Sequence, residues 1–280
     1  MIIWQVAREY AGLAEAGGVK NVVCSLCEGL VKLNHDVTLF IPLYGCTDLS
    51  LVKDYSVIQN YNINILVDEK SFSLSFAKAR IKGLKVIFVL SSCFSEKLGV
   101  YTYTAEEEAK NPLHIRGQGH KDSVDMEIVF QKAIIHYICD FNDFPDVIHC
   151  HDATTALIPS LANNSSLKNN FSKTHFVVTI HNAGPAYHHE IKNIETAEKL
   201  TNLPKEIATP EELKQLYGDR WKIETNYDRL KNKLHIEKFT GKKKIIIEQD
   251  FYSHIYLFNV LIALKHDAEQ QITRKPKETT

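Results

Sequence analysis

Apolar residues along the first two thirds of the chain fall alternately into short unbroken runs and longer stretches of helical period. Ile2 to Ala7 is apolar with no helical period, which predicts a strand buried on both faces. Val19, Val22, Val23, Leu26, Leu30 and Leu33 then recur at helical spacing and stop at Asn34, a residue suited to a helix C-terminus. Asp36–Pro42 reads as a second buried strand, so the three segments make a βαβ unit and predict a parallel sheet with covering helices. Residues 54–91 alternate as strands do, with Ile63, Ile65 and Val67 and then Leu84–Leu90. Glu106–Asp125 is polar, holds three glutamates in a row and Gly117-Gln-Gly119, and is expected to be a surface loop. A helix over Val129–Phe141, a strand over Asp146–His149, a helix over Thr154–Leu161 and a strand over Thr174–Ile180 complete the series.

Composition adds little to this picture. With 280 residues, 44% hydrophobic and 24% charged, the chain has room for one large or two ordinary globular domains. No run approaches the length of a membrane span, and Met-Ile-Ile-Trp lacks a basic leader, so a cytoplasmic protein with no membrane partner is expected. The six cysteines are then expected to stay reduced. Cys24 and Cys27 form a CxxC pair, but one turn apart on an apolar helix and with no second pair nearby, which argues against a metal or redox role. Charge does divide the chain: residues 1–200 hold 18 basic and 22 acidic side chains, residues 201–280 hold 15 and 12.

Candidate chemistry sits at strand ends. In Leu13-Ala-Glu-Ala-Gly-Gly-Val-Lys-Asn-Val-Val23 a Gly-Gly turn leads into a helix, and Gly17 and Gly18 would let the backbone turn tightly and approach a ligand. The free amides of the helix's first turn would suit a phosphate or sugar oxygen; the other reading is ordinary turn chemistry. His149-Cys-His151-Asp152 and His181-Asn182 both close predicted strands, and that edge is where an open α/β sheet binds ligands. Histidine and aspartate there can hydrogen-bond sugar hydroxyls, or simply cap the strand ends. His-x-His-Asp is also half of a metal site, with no third or fourth ligand at a suitable spacing.

Four segments, Ala14–Val23, Leu33–Gly45, Asp146–Leu157 and Thr179–Asn182, resemble in order and spacing the N-terminal domain of bacterial glycogen and starch synthases. The resemblance implies one half of a two-domain GT-B glycosyltransferase, which moves glucose from ADP-glucose to the non-reducing end of an α-1,4-glucan with retention and without a cofactor. It places Gly17 and Gly18 against the donor's phosphates and glucose, His181 against the transferred glucose, and Glu15, His151, Asp152 and Asn182 among the substrate contacts. Two positions depart from the family. Glu15 stands where a lysine is usual and would repel a diphosphate, and Asn21 stands where an aspartate is usual.

The synthase resemblance fades after Tyr187-His-His-Glu190. Thr209-Pro-Glu-Glu212 is a strong helix start, with Thr209 as N-cap, Pro210 at the first helical position and Glu212 closing a capping box. Tyr217, Arg220, Glu224 and Lys231 then recur on one helical face. On spacing alone this is a solvated face with an Arg220–Glu224 pair. The wider pattern, with Leu234–Gly241, Lys242-Lys-Lys244 and the apolar run from Ile245 to Leu264, resembles the C-terminal end of insertion-sequence DDE transposases. That resemblance implies a catalytic, metal-binding role for Glu224 and DNA contacts for Tyr217, Arg220 and Lys231. Two further aspartates have no counterpart here, so Mg2+ would be a cofactor only if such a site were complete.

The expectation is an α/β, Rossmann-like parallel sheet with helices on both faces over 1–190, a junction over 191–208, and a mainly helical, transposase-like segment over 209–280. As a single chain it would be an inactive synthase remnant whose C-terminal part binds DNA weakly. The alternatives are a DNA-binding or transposition protein with a passenger N-terminal domain, a working transferase half whose partner is a separate chain, and a glucan-binding module without catalysis.

Overall fold

The computed structural model describes residues 1–163, 167 and 169–181. The chain divides into two compact units, Met1–Ile207 and Ala208–Thr280, and all described residues belong to the first. The helices expected over 209–265 lie outside the described residues.

The described part is built on a mixed sheet. Its parallel strands are β1 (Ile2–Val6), β2 (Asp36–Pro42), β6 (Leu84–Leu90), β7 (Val147–His151) and β8 (His175–Thr179), with β3 (Lys53–Val57), β4 (Ile63–Val67) and β5 (Lys70–Ile81) forming an antiparallel wing. The order is β3-β5-β6-β2-β1-β7-β8, and β4 pairs with β5. The helices are α1 (Val19–Lys32), α2 (Ser92–Ser95), α3 (Ala105–Lys110), α4 (Ser123–Phe141) and α5 (Ile158–Ala162). The step from β1 to β2 runs one way across the sheet and the step from β6 to β7 the other, so right-handed crossovers put α1 and α4 on opposite faces. This is the α/β arrangement expected from the sequence, with an antiparallel wing added to it.

The main core lies between α4 and the sheet. Tyr137 of α4 packs edge-on against Trp4 at 5.8 Å, Phe40 at 5.2 Å and Phe76 at 5.0 Å, tying β1, β2 and β5 to one helix. Trp4 is 1% exposed, and truncating so large a buried ring costs about 3–5 kcal/mol. At the end of α1, Asn34 adopts φ 62° and the amides of Asn34 and His35 return to the carbonyls of Val31 and Leu30. That is a Schellman motif, and Asn tolerates the left-handed geometry it needs.

Three expectations are corrected. Glu106–Asp125 is not simply a surface loop: Thr104 and Glu107 form a capping box that starts α3, and α4 begins at Ser123. The charged run masked a start signal whose glutamate turns inward, where Glu107 is 6% exposed. Helix α4 also begins six residues before the expected Val129, because Met126 and Ile128 are buried and extend its apolar face. The helix expected over Thr154–Leu161 is broken into a 3-10 turn, Ala153–Thr155, and the short α5, with Pro159 in its first turn.

Candidate functional site

Because the chain leaves the centre of the sheet in opposite directions on either side of β1, the loops after β1 and β7 diverge and leave a crevice at their carboxyl ends. Arg8 and Glu9 follow β1, Asp152 follows β7, and His181 lies two residues beyond β8. Register assembles the rest. Gln5 of β1 is level with His149 of β7, and His151 is level with Thr179 of β8, so the two-residue period sets all four on the sheet face opposite Trp4.

On that face the side chains form a hydrogen-bonded row. His151 Nε2 lies 2.8 Å from Gln5 Oε1, and His151 Nδ1 lies 2.9 Å from His181 Nε2. The His151 and His181 rings stack at 5.2 Å, and His149, tilted against His151 at 4.3 Å, reaches Thr179 Oγ1 at 2.7 Å. His151 is 2% exposed; burial first, then the neighbouring His149 and His181, lowers its pKa from 6.5 to about 3. Burial, with a smaller push from His181, lowers that of His149 as well. A neutral His151 can only pass hydrogen bonds along the row.

Asp152 fixes the backbone beside it. Its Oδ1 accepts the His181 amide at 2.6 Å and its own amide donates to the Thr179 carbonyl at 2.8 Å. It does so at φ 64° and ψ 176°, a region that is almost glycine's alone and costs about 1–3 kcal/mol. Thr155, fully buried, braces the turn by donating to the His151 carbonyl at 2.8 Å.

The glycine loop differs from its expected form. Neither Gly17 nor Gly18 has a positive φ; Gly18 is an ordinary right-handed N-cap at φ −81° with open space where a Cβ would go. Gly17 lies close against Glu9, where a Cβ would sit 3.2 Å from Glu9 Oε1. The left-handed glycine is Gly12, at φ 84°. Two amides just ahead of α1 are taken by a side chain, because Glu9 Oε2 accepts from Ala16 N at 3.0 Å and Gly17 N at 2.7 Å. Tyr101 donates to the other Glu9 oxygen at 3.3 Å, its phenol kept protonated by burial and then by that carboxylate. Glu15 is exposed, yet it accepts the Gly12 amide at 2.7 Å and pairs with Lys20 at 2.6 Å. The Lys20 bond, then that amide, lowers its pKa below the usual carboxylate value.

Under the loops Arg8, 4% exposed, donates to Glu127 at 2.9 Å, the Val100 carbonyl at 2.8 Å and the Tyr44 hydroxyl at 3.0 Å. It is a structural bolt between β1's exit and α4. A cavity of about 230 Å3 lies beside the loop, between Gly12, Glu15, Cys46, Asp48 and Gly99. A larger one, about 420 Å3, opens at the amino ends of the parallel strands near Asp36, Lys78 and Lys85, away from the histidine row.

The structure therefore brings His151, Asp152 and His181 together and sets Glu15, Gly17 and Gly18 on the loop after β1. Asn182, Tyr217, Arg220, Glu224 and Lys231 lie outside the described residues. Sequence reading missed Gln5 and Glu9. The signal for Gln5 was a single amide inside the apolar run Ile2–Ala7, and for Glu9 a charge directly after it. Among the described residues no group of three or more His, Cys, Asp or Glu could hold a metal ion, and no helix is long and apolar enough to cross a membrane.

The family model of the starch synthase catalytic domain matches residues 2–225. That span runs past the expected junction and takes in Tyr217, Arg220 and Glu224. A glycogen synthase of Protochlamydia amoebophila is 28% identical over 186 residues, covering 65% of this chain and 33% of that protein. Soluble starch synthase 3 of Solanum tuberosum is 30% identical over 184 residues, 65% of this chain and 13% of that one. The chain thus spans a third or less of the length of these relatives. The solved catalytic domain of starch synthase IV from Arabidopsis thaliana, bound to ADP and acarbose, matches with a TM-score of 0.52 at 24% identity, over 64% of this chain and 34% of that one. This last likeness is one of fold.

Proposed function

Since this chain belongs to the starch synthase catalytic-domain family, we propose that its described part is the acceptor-side half of a GT-B glucosyltransferase that uses ADP-glucose to extend an α-1,4-glucan. The observation that carries this reading is the placing of His181 at the switch-point crevice, its amide held by Asp152 and its ring by His151. A ring so held meets a sugar hydroxyl without first losing rotational freedom, which is how positioning lowers a barrier. The ADP and acarbose bound by the Arabidopsis neighbour belong to the same ligand classes, a nucleoside diphosphate and an oligosaccharide.

The donor end is poorly equipped. Glu9 occupies two loop amides and Glu15 engages Lys20, so a diphosphate arriving at this loop meets two carboxylates and a lysine already compensated. With the donor loop so occupied, this chain should retain glucan weakly, bind ADP-glucose poorly and turn it over undetectably. Positioning of donor and acceptor in a closed cleft supplies about 7–11 kcal/mol, and a donor loop that repels a diphosphate forgoes much of it. ADP release with glycogen as acceptor tests this. Turnover at the level of an intact synthase, lost in His181→Ala, would show a working enzyme; absence of any glucan retention on affinity electrophoresis would remove the acceptor role.

The finer proposal concerns 209–280. Tyr217, Arg220 and Glu224 lie within the family match, which ends at 225, while Lys231 and Lys242-Lys-Lys244 lie beyond it. We propose that this segment derives from a transposase end and keeps only weak DNA binding. Since the sequence offers no counterpart for the two aspartates that such a site needs beside Glu224, it should not cleave DNA with magnesium. Its binding should fall steeply with salt in a mobility-shift titration, as phosphate contacts do; salt-independent or absent binding would reject it.

A further inference from the structure

We propose that Gln5 is a positioning residue for His181: acting through His151, it decides which ring nitrogen of His181 carries the proton. The inference rests on the reading of His181 as a sugar contact, and goes beyond it by stating which partner the ring can take.

Gln5 is the polar residue of β1 and is fully buried. Its Nε2 has no hydrogen-bond partner among the described residues, and its Oε1 faces His151 Nε2 at 2.8 Å. An amide buried on those terms works against stability, because an unpaired buried N–H loses its water for nothing. An apolar residue would serve β1 better, so the Oε1 contact to His151 is what Gln5 contributes.

The consequence follows link by link. A carbonyl oxygen only accepts, so His151 Nε2 must be the donor. His151 stays neutral in its buried place beside His149 and His181, and a neutral imidazole has one N–H, so its Nδ1 is an acceptor. His181 Nε2, 2.9 Å from that Nδ1, must then carry the proton. Nδ1 of His181 is left as an acceptor, selecting a substrate group that donates, such as a sugar hydroxyl. His149 imposes nothing on this row, since its own partner, the Thr179 hydroxyl, can donate or accept.

The test is the tautomer state, read in the full chain labelled with 15N-histidine, from two-bond nitrogen–proton correlations assigned with single His→Gln variants. The wild-type chain at neutral pH should show both His151 and His181 with the proton on Nε2. Gln5→Met keeps the bulk and removes the acceptor, and should invert both rings to the Nδ1 form. Gln5→Glu sets a carboxylate on His151 Nε2 and should raise that ring's titration midpoint from about 3 by about 1–3 pH units. A wild-type His181 protonated on Nδ1, which needs no variant to fold, would overturn the proposal, as would a His181 unchanged in Gln5→Met. Glucan retention by His181→Ala is scored separately. Retention unaffected by that variant rejects His181 as a sugar contact whatever its tautomer, whereas a wrong tautomer with retention lost rejects Gln5 alone.

Discussion

Acid should loosen this fold earlier than its carboxylates would, and His151 is the reason. The ring is 2% exposed with a folded pKa near 3, against 6.5 for the free side chain, through burial first and then His149 and His181. Because the folded value is the lower one, between the two values the unfolded chain binds a proton that the folded chain does not. Stability from this source is therefore complete above the unfolded value and is lost progressively as pH falls toward the folded one. At 1.36 kcal/mol per pH unit, the roughly 1.5-unit step from 6.5 to 5 removes about 2 kcal/mol. His149 is shifted the same way and adds to the loss. A domain holding on the order of 5–15 kcal/mol would register that clearly. The assay is urea unfolding followed by the fluorescence of Trp4 in a Trp221→Phe background, so that the unit Met1–Ile207 reports. Stability should fall by about 2 kcal/mol or more from pH 7.5 to pH 5, and in His151→Gln the fall should be smaller by roughly that amount. Parallel pH profiles for the two proteins would refute the reasoning.

Gly17→Ala and Gly18→Ala should move stability in opposite directions. The first pushes a methyl against Glu9 and should cost about 1 kcal/mol, while the second, at an ordinary helical φ in open space, should be neutral or gain about 0.4–1 kcal/mol; thermal melts of the pair decide it. Arg8→Met takes Glu127's guanidinium partner away and should cost about 3–5 kcal/mol in the same urea assay; a loss under 1 kcal/mol would mean that Arg8 does not bolt β1 to α4.

Much of the architecture was legible because it depends on periodicity. Ile2–Ala7 and Asp36–Pro42 are mainly apolar since they are central strands, and the step between two such strands fixes a parallel sheet by handedness. Asn34 announced the end of α1 because few other residues accept the left-handed turn. His151, Asp152 and His181 were visible as clusters at strand ends, which is where an α/β sheet gathers its ligands. Glu107 was misread since charge patterning does not show that a carboxylate turns inward to cap its own helix.

What only the tertiary structure decided is which groups meet. Gln5 and His151 stand 146 positions apart, and Glu9 reaches loop amides seven and eight residues on. Strand register determines the first meeting and the backbone course after β1 the second. Neither leaves a periodic trace, because a hydrogen bond depends on distances of a few tenths of an ångström that local sequence does not encode. The state of His151 is of the same kind: a histidine is ionisable near neutrality wherever water reaches it, and only the packing around β7 removes the water.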